Sequence, residues 1–218
     1  MSTAPPVQQM LETRSPRAQA QGVLLPPRAT ADGTLRRLQE AALVGFGERG
    51  YHGVSMRELA EAAGVRVSSV YAHVTAKEDL LFALTLMGHE EHNARLRDAV
   101  AAAGNDPGAR MRALVVAHAT VHATYPLLTS VANKELHALG ADNAATVMAV
   151  RRDSERLLLE AVEDGVAAGV FHCPDPWLAV AAIGGMGIRV AEWYDPAGPF
   201  EVQQVADRYA EFALKILA

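Results

Sequence analysis

Cysteine is almost absent. Cys173 stands alone in 218 residues, which excludes an internal disulfide and suits a reducing compartment. Aromatic residues make up only 6%, and no apolar run reaches the roughly 18–20 residues a membrane span needs. The first residues hold the proline pairs Pro5-Pro6 and Pro26-Pro27, with scattered polar side chains where a secretory signal would be apolar. Alternating β-branched residues are missing too, so nothing announces a strand. Catalytic signatures are equally scarce: there is no nucleotide-binding glycine loop, nucleophile elbow or His-Glu-x-x-His zinc helix. His172 and Cys173 are adjacent, an arrangement that seldom yields a nucleophile–base pair. The expectation is a soluble cytoplasmic protein without catalytic residues, cofactor or membrane segment.

What is present is helical. From Thr34 onward Ala, Leu, Glu and Arg dominate. Breaks fall at Gly50–Gly53, Gly64, Val74-Thr75, Gly104–Gly108, Tyr125-Pro126, Gly140–Asp142, Cys173–Pro176 and Asp195–Pro199. They leave about nine helices in an all-α protein. The first four are short or moderate and form a head; the later five are longer and form a bundle around one core. Residues 1–33, with five prolines and no periodicity, read as a disordered tail. The expected organisation is tail 1–33, head 34–82 and body 83–218.

The formal charge is −5, which argues at first against a polyanionic partner. Its distribution softens the objection. Residues 1–80 carry nine Lys/Arg and eight Asp/Glu, a net +1, so the remaining 138 residues hold −6. A nearly neutral head can bind phosphates if its cations face one way, whereas the acidic body should avoid them.

The strongest local signal lies between Ser55 and His73. Ser55-Met56-Arg57-Glu58 is a capping box, with the hydroxyl accepting from a first-turn amide while Glu58 reaches back. The helix it starts puts Met56, Leu59, Ala60 and Ala63 on one face. Gly64 can take φ > 0 and stop that helix sharply. Val65 plugs the turn, and a second short helix runs through Val67, Val70 and Tyr71. Ala60 must be small where the helices cross, and Val70 faces back into the shared core. Thr75-Ala76-Lys77-Glu78 reads as a second capping box. Two short helices around a glycine turn are either a plain helical hairpin or a helix-turn-helix, whose second helix can enter the major groove of DNA.

The segments Ala41-Ala42-Leu43, Phe46, Arg49-Gly50-Tyr51, Ser55–Ala60, Ala63-Gly64-Val65, Val70–His73 and Lys77–Leu80 together resemble the DNA-binding head of TetR-family transcriptional regulators. The resemblance spans about residues 35–82. Arg66 departs from it, standing where a small Ser is frequent, and Val74 replaces a common Phe. The resemblance implies a repressor that binds a double-stranded DNA operator as a homodimer, paired through its last two helices. Arg66, Val67, Ser68 and Ser69 would face the groove, where the Ser hydroxyls can donate to base edges and Val67 can pack on a thymine methyl. Tyr71 and His73 would touch the backbone, Lys77 would meet a phosphate, and Ser55 and Arg57 would flank the same strand. The tail, with Arg14, Arg17 and Arg28, is either without function or an arm reaching a groove.

The body should sense a small molecule. Its helix at Asp175–Trp193 mixes small Ala181, Ala182, Gly184, Gly185 and Gly187 with bulky Trp177, Ile183, Met186 and Ile188. A glycine inside a helix costs about 1 kcal/mol relative to alanine, so a packing or ligand contact should offset it. Candidate effector-binding residues are Met87, Leu114, His118, Met148 and Arg152. The stretch Ala191–Phe200 followed by Gln203-Gln204-Val205 resembles a subgroup of the family that responds to acyl-CoA thioesters of fatty-acid or steroid breakdown. A generic hydrophobic effector is the other option. His118/His122 and His89/His92, with Glu90 and Glu91, are spaced to share helix faces and can bind metal. Without a compact Cys/His cluster, no metal site is assigned; a metal- or multidrug-responsive regulator of the same fold is the alternative.

Overall fold

The computed structural model describes residues 25–27, 29 and 33–218. Most of the segment read as a tail, including Arg14, Arg17 and Arg28, lies outside the described residues. Within that segment, Leu25 is buried and the Ala29 amide closes a turn on the Pro26 carbonyl at 2.9 Å.

The described residues form nine α-helices and one 3₁₀ turn: α1 Thr34–Arg49, α2 Met56–Ala62, α3 Val67–Val70, α4 Lys77–Ala103, α5 Pro107–Thr124, α6 Pro126–Lys134, the 3₁₀ turn Leu136–Ala138, α7 Ala141–Ala167, α8 Pro176–Trp193 and α9 Val202–Ile216. The breaks read from the sequence account for most of the boundaries. Asp106 caps α5 by accepting from the Ala109 amide at 2.6 Å, with Pro107 at the first helical position. One expectation fails: the fourth helix is not short but runs 27 residues. Nothing between Lys77 and Ala103 breaks it, since Gly88 is tolerated inside a helix packed on Leu128 and Ala132.

Contacts divide the chain into two compact units, one reaching through Gly88 with Leu127–Val147 added, the other His89–Pro126 with Met148–Ala218. In the first, Leu38, Phe46, Leu59, Ala60, Val70 and Leu80 are essentially fully buried. Residues from 127 to 147 are tied into it by two carboxylates. Glu135 accepts the Tyr51 amide at 3.1 Å, and Glu78 accepts the Gly140 amide and the Asn143 side chain, each at 2.8 Å. These bonds hold the Glu78 carboxyl below its usual range.

The second unit has its own core, in which Leu96, Met111, Leu114, Val162, Ile183 and Leu217 are almost completely excluded from solvent. α5 runs through it, with Ala119 and Ala123 packed against Val190 of α8, Tyr194 just beyond its end, and Val205 and Ala206 of α9. Small residues at these crossings let the helices approach closely. The segment Ala191–Phe200 holds the last three residues of α8 and most of the turn that leads to α9. Asp195 accepts the Ala197 amide through its side chain and the Gly198 amide through its carbonyl, each at 2.9 Å, so local turn chemistry accounts for much of its composition.

Candidate DNA-binding face and a histidine-lined body

Helix α2 starts on the capping box expected from the sequence. The Glu58 amide donates to Ser55 Oγ at 3.3 Å, and Glu58 Oε2 accepts the Ser55 amide at 2.7 Å. Arg49 adds an ion pair to Glu58 at 2.6 Å. The Arg49 bond, followed by the Ser55 hydroxyl and amide, holds the Glu58 carboxyl at about 2. A carboxyl depressed on folding stabilises the fold above its unfolded pKa and loses that contribution as pH falls through the folded one. The stability difference between the wild type and Glu58→Gln is therefore expected to be largest near neutrality. It should vanish as the pH is lowered from about 4.5 to about 2, as read by denaturant titration at a series of pH values.

The second capping box needs correction. α4 begins at Lys77, so its third residue is Asp79. Asp79 Oδ2 accepts from the Thr75 amide and hydroxyl at 2.7 Å each and from the Ala76 amide at 3.0 Å. Glu78 points to Gly140 instead. The cap falls one residue later than the sequence suggests, because two acidic side chains are adjacent and only the helix start decides which of them caps.

Gly64 has φ +68°, and the Val65 amide returns to the Ala60 carbonyl at 2.9 Å, so the chain leaves α2 in a tight reversal. α3 is a single turn. Beyond it the amides of Ala72 and His73 bond the carbonyls of Ser69 and Val70 at 3.3 and 2.9 Å, carrying the coil to Val74. Val70 is fully buried, while Arg66, Val67, Ser68, Ser69, Tyr71 and His73 all face solvent. Tyr71 is 56% exposed, which excludes burial as its role. Ser55 and Arg57 are exposed too. Arg36 and Arg49 are paired with Glu40 and Glu58, and Arg37 donates to the Ala63 carbonyl. Arg57 and Arg66 make no ion pair with any described residue. The result is a small exposed face of hydroxyl, imidazole and guanidinium donors on a rigid turn, suited to phosphate oxygens and base edges.

Lys77 stands apart from that set. Its ammonium donates to the carbonyls of Tyr51 and Val54, each at 2.7 Å, and lies 4.2 Å from the Tyr51 ring centroid. Partial burial draws its pKa down. Two of its three donors are committed within the protein.

The body unit gathers three histidines from two helices. His92 of α4 and His118 and His122 of α5 have ligand nitrogens all within 4.8 Å of one another. His92 Nε2 and His118 Nδ1 share a hydrogen bond of 2.7 Å. His118 Nε2 donates to the Gly184 carbonyl at 3.0 Å, and His122 Nδ1 donates to the His118 carbonyl at 2.9 Å. Burial depresses all three, His92 well below the ordinary histidine value and His122 to about 3. Gly187 makes room: a Cβ there would lie 2.0 Å from His118 Cδ2.

A cleft of about 570 Å³ lies beside α4 and α5, lined by Ala99, Ala103, Val116, Thr120 and Tyr125, with Arg95 among its walls. Arg95 is paired with the buried Glu91 at 2.8 Å. None of the five effector residues chosen from sequence lines it. Leu114 is core, His118 belongs to the histidine trio, Met148 is partly buried and Arg152 is exposed on α7. Met87 falls in the other unit. Arg95 and Tyr125 carry no periodic signal in the sequence, because the cleft around them is lined largely by alanines. His92 as a partner of His118 leaves no such signal either, since 26 residues separate them.

Comparisons with known proteins agree along the chain. The family described as bacterial regulatory proteins, tetR family, matches residues 38–84. The tetracyclin repressor-like C-terminal domain matches residues 104–217. The HTH-type transcriptional repressor KstR2 of Rhodococcus jostii RHA1 is 26% identical over 188 residues, covering 85% of this chain and 92% of that protein. A tetR-family regulatory protein from Rhodococcus RHA1 superposes with a TM-score of 0.80 at 30% identity, covering 86% of this chain and 98% of the other. AibR in complex with isovaleryl coenzyme A and operator DNA shares the fold, with a TM-score of 0.74 at 24% identity over 83% of this chain and 97% of AibR.

Proposed function

The chain belongs to the TetR family of bacterial transcriptional regulators, and we propose that it acts as a homodimer on a palindromic operator and is released by a small hydrophobic effector of the acyl-thioester kind. It is a ligand-responsive DNA-binding repressor, not an enzyme. The observation that carries the DNA reading is the solvent-facing surface from Arg66 to His73, with Arg57 and Arg66 free of ion pairs to the described residues. In this reading Arg66, Val67, Ser68 and Ser69 meet base edges, while Ser55, Arg57, Tyr71 and His73 hold the backbone. Lys77 acts at one remove, by fixing the loop before α2. The setting would be the cytoplasm, where the DNA is.

Dimerisation through α8 and α9 is supported by what those helices leave uncovered. Trp177, Leu178, Phe212 and Ile216 are 68%, 57%, 46% and 42% exposed. Scattered apolar residues are ordinary on a surface, but a concentration of large ones on two adjacent helices marks an interaction site. Two recognition helices about 34–36 Å apart would then meet successive major-groove faces. A single head would bind too weakly to discriminate.

For the effector, the cleft beside α4 and α5 is favoured over the five side chains picked from sequence. Its volume falls within the usual range for small-molecule sites, its lining is mostly apolar, and Arg95 offers a cation to a thioester's phosphates. KstR2 and AibR supply the analogy. The effector would lower operator affinity only by as much as it prefers the released conformation.

The test is a salt titration of the purified protein on the DNA upstream of its own gene against a scrambled duplex, repeated with a panel of acyl-CoA thioesters. Tight binding to a palindrome and release by one thioester are expected. Binding that nowhere exceeds the scrambled control would sink the operator assignment, and specific binding indifferent to every thioester would sink the effector class.

A further inference from the structure

We propose that His92, His118 and His122 form a binding site for a divalent late transition metal, Zn²⁺ being the representative ion. The family assignment does not require such a site, and the sequence reading assigned none. The case rests on geometry first. Three imidazoles from two helices bring their nitrogens within 4.8 Å of one another. A tetrahedral ion with Zn–N bonds of about 2.0–2.1 Å places its ligand nitrogens roughly 3.3 Å apart. The His92–His118 nitrogens, at 2.7 Å, need to open by only about half an ångström.

The outward nitrogens are already held as a metal site needs them. Metal-binding histidines characteristically donate their other ring N–H to a carbonyl or carboxylate, which fixes the tautomer and aims the lone pair. His118 and His122 do this here. Nε2 of His118 is held by the Gly184 carbonyl, leaving Nδ1 as acceptor, and Nδ1 of His122 is held by the His118 carbonyl, leaving Nε2. His92 Nε2–H occupies the gap between them as a hydrogen-bond donor to His118. On metal binding that proton moves to His92 Nδ1, a change of tautomer with no net proton released.

The three rings also enclose one another. The rings contact one another edge to face, with centroids 4.6 to 5.6 Å apart. Gly187 opens the notch in α8 that seats His118. Three neutral imidazoles suit zinc, copper or nickel rather than magnesium or calcium. A three-histidine zinc site leaves a fourth place for water or an anion. An ion here joins α4 to α5, with α8 held through the Gly184 carbonyl.

The experiment uses the full-length protein without any histidine tag. It is freed of metal with a chelator, then titrated with Zn²⁺ in competition with a chelating dye, and in parallel with Co²⁺ while the visible spectrum is followed. One Zn²⁺ per chain should survive gel filtration, and Co²⁺ should give the intense d–d bands of a low-symmetry, nitrogen-bound site. His92→Gln and His122→Gln should each weaken Zn²⁺ by more than about 100-fold, beyond the range seen for outer contacts. His172→Gln, an exposed control, should leave affinity unchanged. Zn-edge absorption on the wild type should count three imidazoles, a readout that stands even if a variant misfolds. Stoichiometry well below one, affinity unmoved by the substitutions, or fewer than three imidazoles at the edge would each overturn the site.

Discussion

Replacing Lys77 with alanine is expected to destabilise the head by about 2–4 kcal/mol, far more than loss of a surface lysine would. The ammonium bonds two backbone carbonyls, those of Tyr51 and Val54, at 2.7 Å each, and a hydrogen bond from a charged donor contributes about 1.5–3 kcal/mol. Water can reach part of this site, which trims the sum. The Tyr51 ring adds about 0.5–1 kcal/mol through its cation–π contact. Lys77→Met would keep the aliphatic stem and recover little, because the loss is in the donors. DNA binding should fall on specific and random duplexes alike, since the loop from Tyr51 to Val54 leads straight into the capped start of α2. Arg57→Ala supplies the contrast. Arg57 is exposed and makes no ion pair with the described residues, so its loss should leave stability within about 0.5 kcal/mol while lowering the salt slope of DNA binding by about one. Denaturant melts and salt titrations on both variants separate the roles. Wild-type stability for Lys77→Ala, with a full unit lost from its salt slope, would put this lysine on a phosphate and overturn the assignment.

The head was legible because its determinants are local. Ser55 and Glu58 are three residues apart, Gly64 follows directly on the helix it stops, and the burial of Leu59, Ala60 and Val70 follows from spacing alone. Where two local signals compete, the sequence is ambiguous: Glu78 and Asp79 both suit a cap, and only the start of α4 at Lys77 selects Asp79. What could not be read is what crosses the chain. The bonds from Glu78 to Gly140 and from Glu135 to Tyr51 join residues 62 and 84 positions apart and leave no periodic trace. The same limit hid the histidines. The pairs at 89/92 and 118/122 were visible by helical spacing, but that spacing cannot say which member faces the neighbouring helix. His92 is the one whose Nε2 reaches His118 of α5, and nothing local in the sequence prefers it to His89. Lys77 meets the same limit: a lysine at the start of a helix reads as a phosphate ligand, and its bonds to the carbonyls of Tyr51 and Val54, 26 and 23 residues earlier, carry no local signal.

Gly187→Ala should destabilise the body by about 3 kcal/mol, the reverse of what glycine-to-alanine replacement does in an ordinary helix. In α8 the substitution relieves about 1 kcal/mol of unfavourable helix propensity. Against that, the new Cβ would sit 2.0 Å from His118 Cδ2 and 2.2 Å from Nε2. The ring is the mobile end of its side chain, but His92 and Gly184 grip it on both nitrogens. Turning it aside breaks a buried hydrogen bond, at about 1–3 kcal/mol, and forces the surrounding side chains to repack, at about 1–3 kcal/mol more. Gly184 and Gly185 have nothing within 4 Å of an added Cβ in the protomer. Gly185→Ala should therefore raise monomer stability by up to about 1 kcal/mol, and any loss it causes would report on the face that α8 would share with a second chain in the proposed dimer. Removing the obstructing ring provides the internal check. In Gly187→Ala/His118→Ala the two costs should fall well short of their sum, by about 1–3 kcal/mol in a thermodynamic cycle, because the clash has been deleted. Strict additivity would mean that Gly187 is kept for a reason other than His118.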